Sequence, residues 1–303
     1  DVSFSPGFEL YLDRWSDVTT PPVLTLHSAD GSEIRTVEAG DRSRLTGLRL
    51  GEVEFLQVSA RDGFPMEAMV IRPPDFDPTR RYPVLQYNYG GPHAPVVRNR
   101  WSGARYLWHQ YLAQQGYVIW MCDNRSASGR GIAPTWEAYR RMGVIELRDI
   151  EDGIAWLKEQ SWVDPERVGI WGWSYGGFMA AYALTHSESF KMGIAGAPVT
   201  DWRLYDTIYT ERYMQMPQNN PEGYDETSVV EAAENLHGRL LLIHGTMDDN
   251  VHFQNSVQLI MELQKAGKEF ELMIYPRSRH GIGDDDLQYH LYRTMSDFVE
   301  RAL

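Results

Sequence analysis

The stretch GIWGWSYGGFMA, residues 169–180, holds a serine with glycine two positions before it and two positions after it. A sharp strand-to-helix turn around a nucleophile needs neighbours without side chains, and Gly172 and Gly176 meet that need. The spacing therefore predicts Ser174 as a nucleophile for acyl transfer; the alternative is a glycine-rich packing turn. The backbone N–H of Tyr175, the next residue, would then face the oxyanion of the intermediate.

A serine hydroxyl is a weak nucleophile at neutral pH, so this chemistry needs a base and an acid that orients it. His280, in YPRSRHGIG, lies between a predicted strand and the last predicted helix, in a loop that can direct its imidazole inward. Among the other downstream histidines, His244 falls inside the strand LLLIHG, where core packing is the better interpretation. The acid should follow that strand, and the spacing leaves Asp248 and Asp249 as equal candidates.

A second oxyanion donor should come from the loop after the strand PVLQYNY. Tyr89 in that loop could donate its phenolic hydroxyl. Read as structure, it is a core aromatic residue before a Gly-Gly-Pro turn. The residues alone do not decide between these two interpretations.

The elements that must position these residues alternate between strand and helix after Pro83. Alternation with short links predicts a parallel sheet covered on both faces, in which function collects at the carboxyl ends of the strands. Residues 200–237 interrupt the alternation with a predicted helical insertion, where Trp202, Tyr205 and Tyr209 share one helix face. Residues 1–51 show short period-two segments, which predict a few antiparallel strands.

Composition excludes some classes of function. The net charge of −13 disfavours nucleic acid or an anionic membrane surface as a partner. No apolar run is long enough for a transmembrane helix, and no histidine–carboxylate spacing predicts a metal site or a cofactor. Cys122 is the single cysteine, in the apolar run YVIWMC, and we expect it to be a buried core residue.

Four motifs resemble the catalytic domain of the prolyl oligopeptidase family of serine peptidases, and most closely its dipeptidyl peptidase IV branch: GWSYGG, DWRLYDTIYTERYM, LLIHGTMDDNVHFQNS and RHGI. The resemblance covers residue 52 to the last residue. It implies an α/β-hydrolase fold with a doubly wound, mostly parallel sheet over 52–303. It also implies that residues 1–51 correspond to the last part of a β-propeller.

The resemblance implies roles at single positions. Ser174 matches the nucleophile, His280 the base, and Asp248, rather than Asp249, the acid; Tyr89 matches an oxyanion tyrosine. A small apolar pocket for proline would be lined by Tyr175, Val199, Trp202, Tyr205, Tyr209 and Val251. Flat aromatic faces suit a compact, rigid proline ring. Asn250 matches a side chain that binds a substrate carbonyl.

The resulting expectation is a serine exopeptidase that releases N-terminal di- or tripeptides after Pro or Ala, without a cofactor. Its partners would be short peptides, the rest of the propeller of the same polypeptide and, as a further expectation, a second copy in a homodimer. The residues that choose between dipeptides and tripeptides would lie upstream of Asp1. A carboxylesterase of the same fold and an inactive binding module are the alternatives. The compartment stays open between the periplasm and the cytoplasm of a bacterial-type cell.

Overall fold

The computed structural model describes residues 1–303, apart from the side chain of Arg44. The strands that it describes form two separate sheets. The antiparallel sheet contains β1 (Val2–Phe4), β2 (Leu10–Trp15), β3 (Val23–Ser28) and β4 (Glu33–Glu38). The larger sheet contains β5 (Val53–Ser59), β6 (Pro65–Ile71), β7 (Tyr82–Tyr87), β8 (Val118–Cys122), β9 (Val163–Trp173), β10 (Met192–Gly196), β11 (Arg239–Gly245) and β12 (Glu271–Tyr275).

The larger sheet is mostly parallel, as predicted. Its strand order is β12-β11-β10-β9-β7-β8-β6-β5. The strands from β7 to β12 pair in parallel, while the hairpin β5–β6 pairs antiparallel at one edge. The chain moves outward from β7 to β8 and then returns to the other side of β7 with β9. The carboxyl ends of β7 and β9 therefore flank a topological switch point, which is the usual place for a site in this fold class.

Helices cover both faces of the larger sheet, because its central strands are apolar on both sides. In β8, Val118 and Trp120 belong to one buried cluster, whereas Ile119 and Met121 belong to the other, as the period-two geometry of a strand requires. The helices are α1 (Gly103–Gln114), α2 (Ile132–Trp136), α3 (Val144–Lys158), α4 (Tyr175–His186), α5 (Thr207–Met214), α6 (Pro221–Glu226), α7 (Gln254–Lys265) and α8 (Asp285–Ala302). Helices α3, α4 and α7 contribute to the first cluster, and α1 and α8 to the second.

The antiparallel sheet contacts the larger sheet's domain at few points. Val18, after β2, is buried in the second cluster, and its N–H donates to Asn99 Oδ1 at 3.0 Å. Several large apolar side chains of this sheet stay exposed, among them Phe4, Trp15 and Ile34. The division of the chain at residue 51, and the likeness of its first part to a propeller, stay predictions.

The insertion between β10 and β11 differs from the prediction in one respect. Trp202, Tyr205 and Tyr209 do not lie on one continuous helix: a 3₁₀ turn spans Trp202–Leu204 and α5 begins at Thr207. The turn ends at Tyr205, and Asp206 begins α5 as its N-cap, since its carboxylate accepts the Tyr209 N–H at 2.8 Å. A capping side chain thus divides what helical spacing alone would join.

The last helix is capped by Asp284, whose side chain accepts the N–H groups of Asp286 and Leu287. The prediction for Cys122 is confirmed, since this residue is buried at the end of β8. In the part of the chain that the structure describes, no helix combines the length and the apolar character that crossing a bilayer requires.

Candidate active site

Ser174 lies at a strained turn between β9 and α4. Its backbone has φ 62° and ψ −120°, a region that residues with a side chain rarely adopt and that costs about 1–3 kcal/mol. A Cβ at Gly172 would stand 2.4 Å from the Gly176 carbonyl, and one at Gly176 would stand 2.4 Å from the carbonyl oxygen of Asn88. Both glycines are therefore required by close backbone approach. The turn places the half-buried serine at the carboxyl end of β9.

Asp248 and His280 meet across the ends of β11 and β12. The distance from His280 Nδ1 to Asp248 Oδ2 is 2.8 Å, and the Asp248 carboxylate is fully buried. The neighbouring Asp249 instead points to solvent and pairs with Arg279 at 2.8 Å. The geometry therefore separates the two aspartates that the spacing left equal.

Four donors surround the Asp248 carboxylate. The N–H groups of Asn250 and Val251 each reach Oδ1 at 3.0 Å, and His244 Nε2 lies 3.2 Å from Oδ2, beside His280. Burial alone would raise the pKa of Asp248, but the hydrogen bonds from His244, His280 and the Asn250 N–H outweigh it and hold the pKa well below its usual range. The Asp248 carboxylate is thus kept ionised and fixed in orientation.

His244 is a supporting residue that the sequence reasoning did not identify. The ring is fully buried in β11, as the core-packing interpretation predicted. Both of its nitrogens nevertheless have hydrogen-bond partners. Nδ1 lies 2.7 Å from Ser256 Oγ, and Nε2 lies 2.8 Å from the Val251 carbonyl as well as near Asp248. The signal available was a polar ring inside an apolar strand, four residues before the aspartate.

A hydrogen bond links the loop of His280 to the residue before Ser174. The indole N–H of Trp173, the residue before Ser174, donates to the His280 carbonyl at 2.7 Å. Across the part of the chain that the structure describes, Ser174 and His280 form no side-chain hydrogen bond, and the side chain of Tyr89 lies close to that of Ser174. Catalytic hydrogen bonds often tighten only when substrate binds, and rotation about the Ser174 Cα–Cβ bond is the motion that this would need.

Two donors converge on the space beside Ser174. Tyr175 is the first residue of α4, so its backbone N–H has no acceptor within the helix and lies at the positive end of the helix dipole. Tyr89 follows β7, the strand next to β9, and its side chain lies close to that of Ser174. Burial raises the pKa of Tyr89, and the interaction with Ser174 partly offsets that rise. Tyr89 therefore stays a neutral donor at physiological pH.

Aromatic rings gather next to these donors. Trp202 is buried, with its ring 5.3 Å from Tyr175, 6.1 Å from Tyr205 and 6.2 Å from Tyr209, measured between centroids. Val199 and Val251 are buried in the same cluster. The four aromatic residues predicted for a proline pocket are thus brought together, and the whole predicted set comes from three separate stretches of the chain.

Asn250 stands at the exposed rim of this aromatic group. Its Oδ1 accepts the hydroxyl of Tyr205 at 2.7 Å. Because the amide oxygen is engaged, the NH₂ group is the part of the side chain left to donate outward. This polarity suits a carbonyl acceptor. In the portion of the chain that the structure covers, no group of three or more His, Cys, Asp or Glu residues could hold a metal ion.

Comparisons with known proteins agree with this arrangement. The sequence model of the prolyl oligopeptidase family matches residues 105–303. Dipeptidyl peptidase 8 of Mus musculus is 42% identical over 234 residues, which cover 76% of this chain and 26% of that protein. A probable dipeptidyl-aminopeptidase B of Arthroderma gypseum is 36% identical over 312 residues, which cover 100% of this chain and 34% of that protein.

Solved structures give the same result for the fold. The crystal structure of Porphyromonas gingivalis dipeptidyl peptidase 4 has a TM-score of 0.95 and 37% identity, and the match covers 100% of this chain and 43% of that one. A putative dipeptidyl aminopeptidase IV from Bacteroides ovatus has a TM-score of 0.92 and 35% identity, with the same coverage. The α/β-hydrolase fold is confirmed. The chain spans between about a quarter and two fifths of the length of these relatives.

Proposed function

Because the chain belongs to the prolyl oligopeptidase family, we propose that it is the catalytic part of a serine exopeptidase. The enzyme releases N-terminal di- or tripeptides by cleavage after Pro or, less readily, Ala. The observation that carries the proposal is the position of the aromatic group beside the Ser174 turn. An esterase of the same fold would need the Ser, Asp and His residues but not the rings from Trp202 to Tyr209.

The reaction follows from the geometry. Ser174 Oγ attacks the carbonyl carbon of the substrate proline while His280 Nε2 takes its proton, and Asp248 stabilises the imidazolium through Nδ1. The Tyr175 N–H and the Tyr89 hydroxyl donate to the oxyanion. His280 then gives the proton to the leaving amine, and a water activated by the same histidine hydrolyses the acyl-enzyme.

Selectivity is proposed to arise in the pocket beside Ser174. The rings of Tyr175, Trp202 and Tyr209 present flat faces to the five-membered ring of proline. An alanine side chain would leave the pocket partly empty, and side chains larger than proline would be excluded by its walls. Outside the pocket, the Asn250 NH₂ group binds the carbonyl of the preceding substrate residue and so sets the register of the peptide.

We further propose that a preceding segment of the polypeptide completes the substrate site. Two observations support this: the curated and solved relatives are longer than the chain, and the antiparallel sheet exposes Phe4, Trp15 and Ile34. Such a segment would cover apolar side chains that this sheet leaves exposed. Groups that bind the substrate amino terminus, and so choose between dipeptides and tripeptides, would belong to that segment. A homodimer stays a prediction.

A panel of substrates tests the peptidase against the esterase alternative. With protein produced from the complete reading frame, we expect kcat/KM for Gly-Pro arylamide to exceed that for Gly-Ala arylamide by about tenfold. Gly-Leu arylamide and N-acetyl-Gly-Pro arylamide should be cleaved far more slowly, and Ala-Ala-Pro arylamide reports tripeptide release. Fast hydrolysis of an aryl ester without any preference for proline would instead identify an esterase.

The Tyr89 hydroxyl gives a second prediction. Tyr89→Phe removes one oxyanion donor and keeps the ring, so we expect kcat for Gly-Pro arylamide to fall about 100-fold, with KM within about threefold. Steady-state kinetics provide the measurement. Tyr213→Phe, on α5, is the matched control for loss of a tyrosine hydroxyl near the pocket and should keep its activity. A Tyr89→Phe enzyme with unchanged kcat would remove Tyr89 from the mechanism.

A further inference from the structure

A buried glutamate lies behind the pocket and is not used by the mechanism above. Glu146 is in the first turn of α3 and is fully buried. Its Oε2 accepts the N–H of Gly143 at 2.8 Å, which caps the helix. Its Oε1 accepts the hydroxyl of Tyr175 at 3.0 Å and that of Ser126 at 3.2 Å. Capping thus accounts for one oxygen only, and the other is directed at the pocket.

Keeping the Glu146 carboxylate ionised at this buried position is unfavourable in free energy. Burial raises the pKa of Glu146 to about 7, although the hydrogen bonds from Gly143, Tyr175 and Ser126 favour its ionised form. Among the side chains that the structure describes, no arginine, lysine or histidine forms an ion pair with Glu146. A glutamine would cap the helix as well without carrying charge. Capping of the helix does not by itself require an acidic group at this position.

Tyr175 transmits the position of Glu146 to both oxyanion donors. Its ring is 5.9 Å from that of Tyr89 between centroids. A Cβ at Gly91 would stand 2.9 Å from the Tyr89 ring and 3.1 Å from the Tyr175 ring, so all three residues are closely packed. A shift of the Tyr175 ring would displace the Tyr89 ring as well as the wall of the pocket.

Ser126 links Glu146 to the loop that carries Tyr89. Its hydroxyl lies 3.3 Å from the Gly90 carbonyl and 2.8 Å from Asn124 Oδ1. The Asn124 amide in turn donates to the same Gly90 carbonyl at 3.0 Å. Glu146 therefore contacts the oxyanion machinery from two sides, through Tyr175 on α4 and through the loop after β7.

From these contacts we propose that Glu146 is a positioning residue, which holds the Tyr175 ring and the Tyr89 loop in the arrangement required for cleavage after proline. The proposal rests on the proposed function. The carboxylate makes no contact with substrate. It accepts the hydrogen bond of the Tyr175 hydroxyl on the side away from the substrate. The Tyr175 ring is thereby held in place as a wall of the pocket, and Tyr89 stays beside Ser174.

The test uses Glu146→Gln, Tyr175→Phe and the double variant, in protein from the complete reading frame. In Glu146→Gln the amide oxygen can keep the cap on Gly143, which places an NH₂ donor against the Tyr175 hydroxyl. We expect kcat/KM for Gly-Pro arylamide to fall about tenfold or more in each single variant, since the hydrogen bond between the Tyr175 hydroxyl and the Glu146 carboxyl group is lost. The preference for Pro over Ala should fall at least about threefold, which loss of stability alone would not cause.

The double variant separates positioning from capping. If Glu146 acts through Tyr175, the double variant should be about as active as either single variant, because the same interaction is removed. The control is Tyr182→Phe, which should keep its activity. Tyr182 is a buried tyrosine on α4, the helix of Tyr175, and its hydroxyl donates to the Glu226 carbonyl. Additive losses, or an unchanged Pro/Ala ratio with a lowered melting temperature, would show that Glu146 is only a helix cap.

Two further outcomes remain informative. Should Glu146→Gln fail to fold, Tyr175→Phe leaves the cap intact, and full activity in that variant relative to Tyr182→Phe overturns the proposal. Should the wild-type protein react with a fluorophosphonate but not cleave Gly-Pro arylamide, the proposed function is wrong. The labelling rates of the same variants then still decide the role of Glu146, because labelling depends on Ser174 and its oxyanion donors.

Discussion

Replacing Ser174 by alanine is expected to lower kcat for Gly-Pro arylamide by about 10⁵-fold or more, down to the background left by the remaining binding groups. The loss is this large because the hydroxyl is the attacking atom, so no acyl-enzyme forms without it. Reaction with a fluorophosphonate probe should disappear together with the peptidase activity. The measurements are arylamide hydrolysis and probe labelling of purified protein.

The same variant should stay folded. Alanine carries the same Cβ as serine, so the unusual backbone angles at residue 174 cost the variant about as much as they cost the parent. The thermal midpoints should therefore agree within a few degrees. Ser187→Ala, just after the far end of α4, is the matched control and should keep both activities. Retention of more than about 1% of the arylamide activity by Ser174→Ala would refute its role as nucleophile.

Exchange of Asp248 for asparagine is expected to lower kcat by about 10⁴-fold. The asparagine oxygen would remain with the N–H groups of Asn250 and Val251, which places its NH₂ against His280 Nδ1. That nitrogen would then have to accept a hydrogen bond, so the ring proton would move to Nε2 and the base could no longer take the serine proton. Asp249→Asn is the control, because Asp249 is exposed and pairs with Arg279 at the surface.

Asp248→Asn also has a signature in the pH dependence of stability. The pKa of Asp248 is held well below its usual range in the folded state, so ionised Asp248 stabilises the fold above its unfolded pKa of about 3.9. That contribution is lost as the pH falls through the lower, folded-state value. The gap in thermal midpoint between wild type and Asp248→Asn should therefore be wide at pH 7 and shrink in acid. If Asp249→Asn lowered kcat as much as we expect for Asp248→Asn, while Asp248→Asn stayed active, Asp249 would be the acid.

The turn at Ser174 shows what sequence reasoning can reach. The apolar run before the motif, the helix-forming run after it and the two glycines define a local structure, so the fold around the serine could be predicted without any distant contact. The order of serine, acid and histidine followed from the fold class. The choice between Asp248 and Asp249 did not, because adjacent residues after a strand differ only in the direction that the loop gives them.

Glu146 and His244 show where sequence reasoning stops. The partner of Glu146 at the pocket lies 29 residues further along the chain, and a glutamate in the first turn of a helix already has an ordinary explanation as a cap. His244 gave a stronger signal, yet packing accounted for it as well. The helical spacing of the aromatic residues did not predict that the insertion divides at Asp206. The division depends on one capping side chain, which that spacing does not reveal.

The placement of the insertion between β10 and β11 has a consequence for how such an enzyme can diversify. Residues 200–237 bring Trp202, Tyr205 and Tyr209 to the site, while Ser174, Asp248 and His280 stand on loops that follow other parts of the sheet. Under the proposed function, selectivity and reactivity are encoded largely in different stretches of the gene. Recombination or drift within one short stretch can retune the preferred peptide while the bond-breaking machinery is inherited intact.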